Sequence, residues 1–389
     1  MLPLINRKIN LNKLYIIGLA YLIRVSVSSF GNNYDFDSYI YVVLALQNGI
    51  TPWETYRYNY GISWALLLFI LEFLSAGNEI FFRYLIILVL TLADIYIAYI
   101  IWIKFGKKFA LIFLFNPVSI IITGYYNQFD NLALAIGLAA IVNMEKKGNP
   151  FKSFVLLFLS LITKHNLLLF LFWIFISKRL QREKYFLATF PILAFFVHFL
   201  PFIFVSREVR DAVLSNVFMY WSSNNAPFWQ LLVRNKELIE SLSNNNLWHH
   251  GRVWMLLFFV SVSIVGFFRK QKSIINNFFA YSLALVFFSS AITSQFFAIA
   301  AIGASSFYNP AFLIFFIFGM VWLVTEPGGL EIDIFVPLLN YMNFDGWRDL
   351  PLLLLPGLLF HFIKTKKHFA LRSHIARISV IKNVFSRKH

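Results

Sequence analysis

The sequence predicts an all-α integral membrane protein: a bundle of about twelve transmembrane helices, with one large first extracytoplasmic loop carrying interfacial helices. Three observations predict it. Of 389 residues, 59% are hydrophobic, 13% are charged and 47 are Phe, and the mean hydropathy is +0.68; a soluble core of this length cannot absorb so much apolar surface. Apolar runs recur from residue 14 to residue 362, most approaching the roughly 20 residues that a bilayer-crossing helix needs. The basic residues lie in short clusters between those runs, as in loops held on the cytoplasmic side.

Arg7, Lys8 and Lys13 precede the first run, and no small-residue cleavage site follows it, so 11–30 reads as a retained first helix that ends outside. The clusters Lys104/Lys107/Lys108, Lys146/Lys147, Lys178/Arg179/Arg182/Lys184 and Arg269/Lys270/Lys272 are expected inside, as is the tail from Lys364, which holds eight Lys and Arg and no acid. Between residues 30 and 104 lie two apolar runs, 62–74 and 81–103. If both crossed, every later cluster would invert. The longer run therefore crosses, and 62–74 lies flat on, or dips into, the outer leaflet. Residues 31–80 become the large outer loop, with interfacial helices over 38–47 and 62–74.

Alternation supplies the rest. Residues 111–123 go out, 124–131 turn, 132–144 return; 151–163 go out, 164–166 turn near the outer side, 167–176 return. Residues 186–205 lead to a polar outer loop over 206–251, and 253–268 return. Then 274–291 go out, 295–305 turn back, 310–324 go out, 325–349 lie outside and 352–362 return. Twelve crossings become ten if 295–305 only dip and 352–362 lie flat. One domain fills 1–389: a core module over 1–205, variable helices and outer loops over 206–363, and a basic cytoplasmic tail over 364–389.

The net charge of +16 follows this topology and is no sign of nucleic-acid binding. With no cysteine, disulfides, thiol catalysis and Cys-ligated metals are excluded. His198, His249 and His250 form no metal-ligand spacing, and neither a Walker A motif nor a dinucleotide fingerprint is present.

Only 18 residues are acidic, and two stand one residue apart just past the first helix, in Tyr34-Asp35-Phe36-Asp37-Ser38-Tyr39. In an extended segment this spacing points both carboxylates to one face. One could accept a proton from an attacking hydroxyl, and the other could orient it or, with the first, hold a divalent cation such as Mg2+ or Mn2+. Arg24, two turns before the outer end of the first helix, is costly in lipid and is expected to face a polar cavity or an anion. Arg57, in Tyr56-Arg57-Tyr58-Asn59-Tyr60, pairs guanidinium geometry suited to phosphate with rings suited to sugar faces. Asn127, Gln128 and Asp130 group amide and carboxylate chemistry in the turn Gly124-Tyr125-Tyr126-Asn127-Gln128-Phe129-Asp130-Asn131, a pattern suited to polyols, although Asp130 or Asn131 could equally cap the next helix. Lys164 with His165 could hold a phosphate leaving group. Asp94, inside an apolar run, is either functional or an inter-helix hydrogen-bond partner.

Taken together these segments resemble the GT-C superfamily of membrane glycosyltransferases, and most closely the mannosyltransferase family of GPI-anchor synthesis with its bacterial and archaeal relatives. Arg24, Gly31 and Asp35-Phe36-Asp37 resemble its helix-one Arg and acidic loop. Gly49-Ile50-Thr51-Pro52-Trp53-Glu54-Thr55-Tyr56-Arg57-Tyr58 resembles the family's G-x-x-P-Y…Y-R-Y segment, with Trp53 where Tyr is usual. Ala93-Asp94-Ile95, Phe115-Asn116-Pro117, the 124–130 turn and Ser294-Gln295-Phe296 (without the usual Pro) follow in order over about residues 15–310.

The resemblance implies an inverting transfer of mannose or another hexose from a polyprenyl-phosphate carrier to a saccharide or lipid-linked acceptor, on the outer face of the membrane. It implies Asp35 as general base and Asp37 as orienting or metal-binding acid. Arg24, Arg57, Lys164 and His165 would neutralise the lipid phosphate, and Asn127, Gln128 and Asp130 would read hydroxyls, with Tyr39, Tyr58 and Gln295 completing the substrate site. The segment Tyr220-Trp221-Ser222-Ser223-Asn224-Asn225 would shape the acceptor side. Two other classes compete: a flippase or transporter of lipid-linked saccharides, which needs a charged path between faces, and a polysaccharide polymerase or ligase. A scaffold is the third. Absence of cysteine and of glycosylation sequons fits a bacterial inner membrane, or the ER membrane if the source is eukaryotic.

Overall fold

The computed structural model describes residues 11–55, 57–218, 228, 252–289 and 292–361. Among them every regular element is helical and none is a strand: α1 (Leu11–Ser28), α2 (Tyr34–Gln47), α3 (Ile62–Ser75), α4 (Glu79–Phe105), α5 (Lys107–Phe115), α6 (Pro117–Gly124), α7 (Asp130–Glu145), α8 (Pro150–Thr163), α9 (Leu168–Ile176), α10 (Glu183–Val197), α11 (Leu200–Ile203), α12 (Arg207–Val213), α13 (Arg252–Arg269), α14 (Ile274–Phe287), α15 (Gln295–Ser306), α16 (Pro310–Thr325), α17 (Val336–Tyr341) and α18 (Gly346–Leu352). The Tyr220–Asn225 segment, Tyr56 and the basic tail lie outside the described residues.

Asparagine sets many of the starts. Asn33, Asn78, Asn116, Asn149 and Asn309 each accept a main-chain N–H of the first turn that follows. At Asn116, Asn149 and Asn309 the next residue is Pro, whose fixed φ suits the first helical position and whose missing N–H costs nothing there. Asn116-Pro117 also breaks one apolar run into α5 and α6, bent by 47°. The expected outward-and-back pair over 151–176 is α8 and α9, which turn by 118° at Lys164.

Two helices are long and apolar enough to cross a membrane, 79–105 and 183–203, and up to four if each bent pair counts as one. The remaining apolar helices have 10–17 residues, so they reach less than the roughly 30 Å hydrocarbon thickness at 1.5 Å per residue.

Helix ends gather at two poles. At the first, the main chain of Lys178 donates to Lys270, the Ile274 N–H donates to Glu145, and Phe105 packs on Phe279 and Phe307. The basic clusters belong to this pole. At the second lie the start of α4, the end of α6, the start of α7, the end of α8 and the start of α15, joined by contacts described below. Helix α3 keeps both ends at the second pole: Gly61 touches Ile162, and Ser75 closes three residues before the Asn78 cap of α4.

The core centres on α7, which is buried on nearly every side by α4, α8, α14 and α15. Its Ala133, Ala135, Gly137 and Ala140 allow that close approach, and α15, with Ala298, Ala300, Ala301, Gly303 and Ala304, does the same. At Gly137 a Cβ would collide with the Leu167 side chain.

Candidate functional site

Helix α2 begins four residues earlier than expected, and this changes the acidic pair. The Asn33 side chain accepts from Phe36 N at 3.1 Å, so Tyr34 already starts the helix, and two acids fall in its first turn, where the helix dipole favours them. At about 100° per residue, positions i and i+2 then point to different faces. Asp37 joins the exposed stripe of Tyr34, Tyr41 and Leu44, whereas Asp35 turns toward the buried side. The expectation that both carboxylates point to one face of an extended segment is thereby corrected. Among the described residues no group of three or more His, Asp or Glu is gathered for a metal ion.

The half-buried Asp35 sits in a polar cluster at the second pole. Asn33 Nδ2 donates to its carboxylate at 3.3 Å, and the Gln128 side chain hydrogen-bonds it. Burial pushes its carboxyl above the ordinary value, while the Lys164 ammonium pulls the other way. Lys164 reaches this spot because α8 ends at Thr163 and the chain breaks sharply before α9. Its Nζ donates to Asp130 Oδ2 at 2.7 Å and to Gln295 Oε1 at 2.9 Å, and lies 4.8 Å from the ring centres of both Tyr60 and Phe129. Asn166 completes Asp130 by donating to its other oxygen at 2.8 Å. Asp130 opens α7 without capping it: its N-cap is Phe129, with no side-chain cap bond. His165 is exposed, next to the buried Lys164.

The cluster therefore brings together Asp35, Gln128, Asp130, Lys164, His165 and Gln295 from four stretches of chain. Tyr39, Tyr58 and Asn127 frame it from behind. The Tyr39 hydroxyl donates to Asn127 O at 3.1 Å, and the Tyr39 ring meets Trp64 and Phe129 edge-on. Tyr58 is 2% exposed and bonded to Gly61 O and Ala65 N, so it presents no surface to a substrate. Asn127 takes the left-handed backbone (φ 55°) and spends its side chain on Arg83, Thr123 and Gly124.

Two expected phosphate ligands lie elsewhere. Arg24 is fully buried and donates to Asp94 Oδ2 at 2.9 Å, to Ala20 O, Leu114 O and Ser119 Oγ. Asp94 also accepts from Thr123 at 2.9 Å and Asn131 at 2.7 Å, so the inter-helix alternative is the one realised. Arg57 is exposed and stacks over Tyr34 and Tyr41 at 4.6 and 4.5 Å, on the outer face of α2.

Two residues were missed by the sequence reading. Arg83, inside the apolar run of α4, donates to Ser28 O, Gly31 O, Asn32 Oδ1, Tyr125 O and Asn127 Oδ1 at 2.6–3.0 Å. It binds the 28–32 turn to the 125–127 bend and so fixes Asp35 against Gln128. Glu326 follows α16 and accepts from the hydroxyls of Tyr126 and Ser294. Arg83 could have been flagged as an intramembrane cation; Glu326 carries no local signal. An open cavity of about 460 Å³ lined by Leu180–Tyr185 lies beyond the far end of α9 from Lys164, among the basic residues of the first pole.

No protein-family model matches this chain, and neither a curated protein nor a solved structure is significantly similar to it.

Proposed function

We propose that this protein is an integral-membrane glycosyltransferase of about twelve crossings, and that it moves a sugar from a polyprenyl-phosphate carrier to an acceptor hydroxyl on the outer face of the membrane. The observation that carries this reading is Asp35: a carboxyl held at the head of α2 by Asn33 and Gln128, open on one side, and within the field of the Lys164 ammonium. A carboxyl above its ordinary pKa is a better proton acceptor than a solvated one. The acceptor oxygen attacks the anomeric carbon, its proton passes to Asp35, and the carrier phosphate leaves with the bonding electrons. The resemblance to GT-C enzymes supplies the single displacement and the inversion.

Lys164 spends its charge on Asp130 and Gln295. The role that fits it is to tune Asp35 and fix Asp130. The exposed His165, whose imidazole pKa is pushed down to about 4 by desolvation and the neighbouring Lys164 ammonium, would meet the leaving phosphate as a neutral hydrogen-bond donor and not as a cation. Asp130 and Gln128 are the hydroxyl-reading candidates. The alternation of helix ends between two poles, with the basic clusters at one and the Asp35 cluster at the other, supports an outward-facing site. The Arg24–Asp94 pair is closed on itself and offers no charged path between the poles, which counts against a transporter.

The test is transfer by purified protein in nanodiscs, supplied with polyprenyl-phosphate mannose or glucose and a panel of saccharide and glycolipid acceptors. Asp35→Asn is expected to keep expression and lose about 10²-fold or more in turnover, with Asp37→Asn close to wild type. Full transfer by Asp35→Asn refutes the base assignment.

A further inference from the structure

Two basic clusters that are distant in the sequence meet at the first pole. The Lys178 main chain donates to Lys270 O at 2.9 Å, and Arg179 Nε donates to Gln271 O at 3.0 Å, 92 residues away. The chain leaving α9 is thereby clamped to the chain leaving α13, and the cations of both turns share one surface. Like charges held this way repel one another, and little within the chain offsets them. Among the described residues no acid lies within ion-pair distance of Lys178, Arg179, Arg182, Lys184 or Lys270. The acids nearby are Glu183, in the first turn of α10, and Glu145, which already accepts from the Ile274 N–H. Lys184 makes one long bond, 3.4 Å to Ser177 O, and the exposed Arg182 side chain has no hydrogen-bond partner among the described residues.

The open cavity of about 460 Å³ lies in this surface, with Arg182 and Lys184 in its wall. The same wall holds the start of α10, whose N-cap residue Arg182 makes no side-chain cap bond. The positive end of that helix therefore adds to the two cations, and Glu183 offsets part of the sum. The helix also sets the depth of the cavity. Residues 183–203 form one apolar stretch long enough to cross a membrane, and most of it is not buried by protein. Its first residues then stand at the level of the lipid head groups. Just deeper, the exposed Tyr185 meets the exposed Phe175 edge-on at 5.4 Å, and Phe172, one turn back on α9, is exposed as well. Cations at the mouth with apolar rings beneath them match an anionic head group and its acyl chains. A soluble anion would leave the rings unused.

We infer that the cavity at the start of α10 is a head-group site for an anionic phospholipid of the leaflet that meets the first pole. Arg182 and Lys184 hold the phosphate, Arg179 and Lys270 add to the field, and an acyl chain lies along Tyr185, Phe175 and Phe172. The bound phosphate supplies the negative charge that the two clamped turns lack, and so secures the α9–α10 turn against the α13–α14 turn. The site stands at the opposite pole from Asp35 and does not depend on the saccharide reading.

The experiment reads lipid binding to the full-length protein by native mass spectrometry, in detergent micelles titrated with phosphatidylglycerol or phosphatidylcholine. Thermal unfolding in nanodiscs of the same two lipids is read in parallel. The variants are Arg182→Gln, Arg182→Gln with Lys184→Gln, and Lys107→Gln with Lys108→Gln, which removes two charges from another basic cluster. Arg182 is exposed and unbonded, so the single variant serves if the double variant does not fold. Expected is a phosphatidylglycerol affinity lowered about five-fold by Arg182→Gln and roughly 25-fold by the double variant, with the Lys107/Lys108 pair close to wild type. Wild type should also unfold at higher temperature in phosphatidylglycerol than in phosphatidylcholine, and the double variant should lose most of that difference. Equal affinity of wild type for the two lipids overturns the proposal. An equal loss in the Lys107/Lys108 pair overturns it too, because the attraction then belongs to basic loops in general. Inorganic phosphate that stabilises wild type as much as phosphatidylglycerol does would make the cavity a soluble-anion site and rule out the lipid.

Discussion

Replacing Arg24 by Met tests whether this arginine is a lock or a ligand. Its guanidinium is fully buried, bonded to Asp94 at 2.9 Å and to three further acceptors at 3.1–3.2 Å. Met fills much of the same volume but leaves Asp94 as a buried anion, supported only by the neutral donors Thr123, Ser119 and Asn131. Removing one partner of a buried pair costs about 3–5 kcal/mol, whereas neutralising both is often close to free. Arg24→Met is therefore expected to lose about 3–5 kcal/mol, and Arg24→Met with Asp94→Asn to recover at least about 2 kcal/mol of it. The assay is unfolding by SDS titration from mixed micelles, followed by tryptophan fluorescence for wild type, both single variants and the double variant. Donor affinity, measured on the folded fraction, should change little. If Arg24→Met unfolds within about 0.5 kcal/mol of wild type yet binds the polyprenyl-phosphate donor far more weakly, the lock is wrong and Arg24 is an anion ligand.

Three other perturbations probe the cluster. The Asp35 carboxyl is raised in the folded state, so it binds its proton more tightly there than in the unfolded chain. Its contribution to stability is complete below the ordinary carboxylate range and is lost as pH rises through the folded value. Activity runs the opposite way. The acid limb of kcat/KM is expected above the usual carboxylate pKa, and Lys164→Gln should move it to still higher pH by removing a charge that lowers it; an unmoved limb would separate Lys164 from Asp35. Arg83→Lys keeps the charge but cannot reach all five acceptors, and should cost about 3 kcal/mol and lower kcat more than KM suffers, as read by unfolding and steady-state transfer. Gly61→Ala drives a Cβ to 2.3 Å from Ile162 O. It should destabilise by about 1–3 kcal/mol and weaken the Ser63–Thr163 contact beside Lys164, seen as a lower melting temperature.

The sequence disclosed most where a signal is local. Basic clusters marked one pole; Asn-Pro pairs mark helix starts as well, a signal that the reading of 111–123 as one unbroken run passed over. The polar bend over 124–131 announced itself by composition, and it does meet Asp35 and Lys164. The early acids were misread over only two residues. Asn33 followed by two acids is itself a helix-start signal, and reading Asp35 and Asp37 as extended chain overlooked it. Arg24 and Arg83 failed differently. Both look like stray cations in apolar runs, and what defines them lies far away in sequence: Asp94 is 70 residues from Arg24, and Arg83 serves mostly main-chain carbonyls, which no residue type advertises. Glu326 is 200 residues from the Tyr126 that holds it.

What separates structural charges from functional ones here is spare hydrogen-bonding capacity. Asp94 accepts from Arg24, Ser119, Thr123 and Asn131, is shut off from solvent, and has nothing left to offer. Asp130 is nearly as full, with Lys164 on one oxygen and Asn166 on the other. Asp35 keeps an open side after Asn33 and Gln128, whereas the buried Glu326 is held by Tyr126, Ser294 and Trp322. Filled carboxylates hold helices together because every donor they accept is on another element. Unfilled ones cost stability unless something else arrives to complete them. Asp35 is the carboxyl left with an open side at the second pole. A ligand that brings a hydroxyl can complete that open side, and a ligand with none cannot.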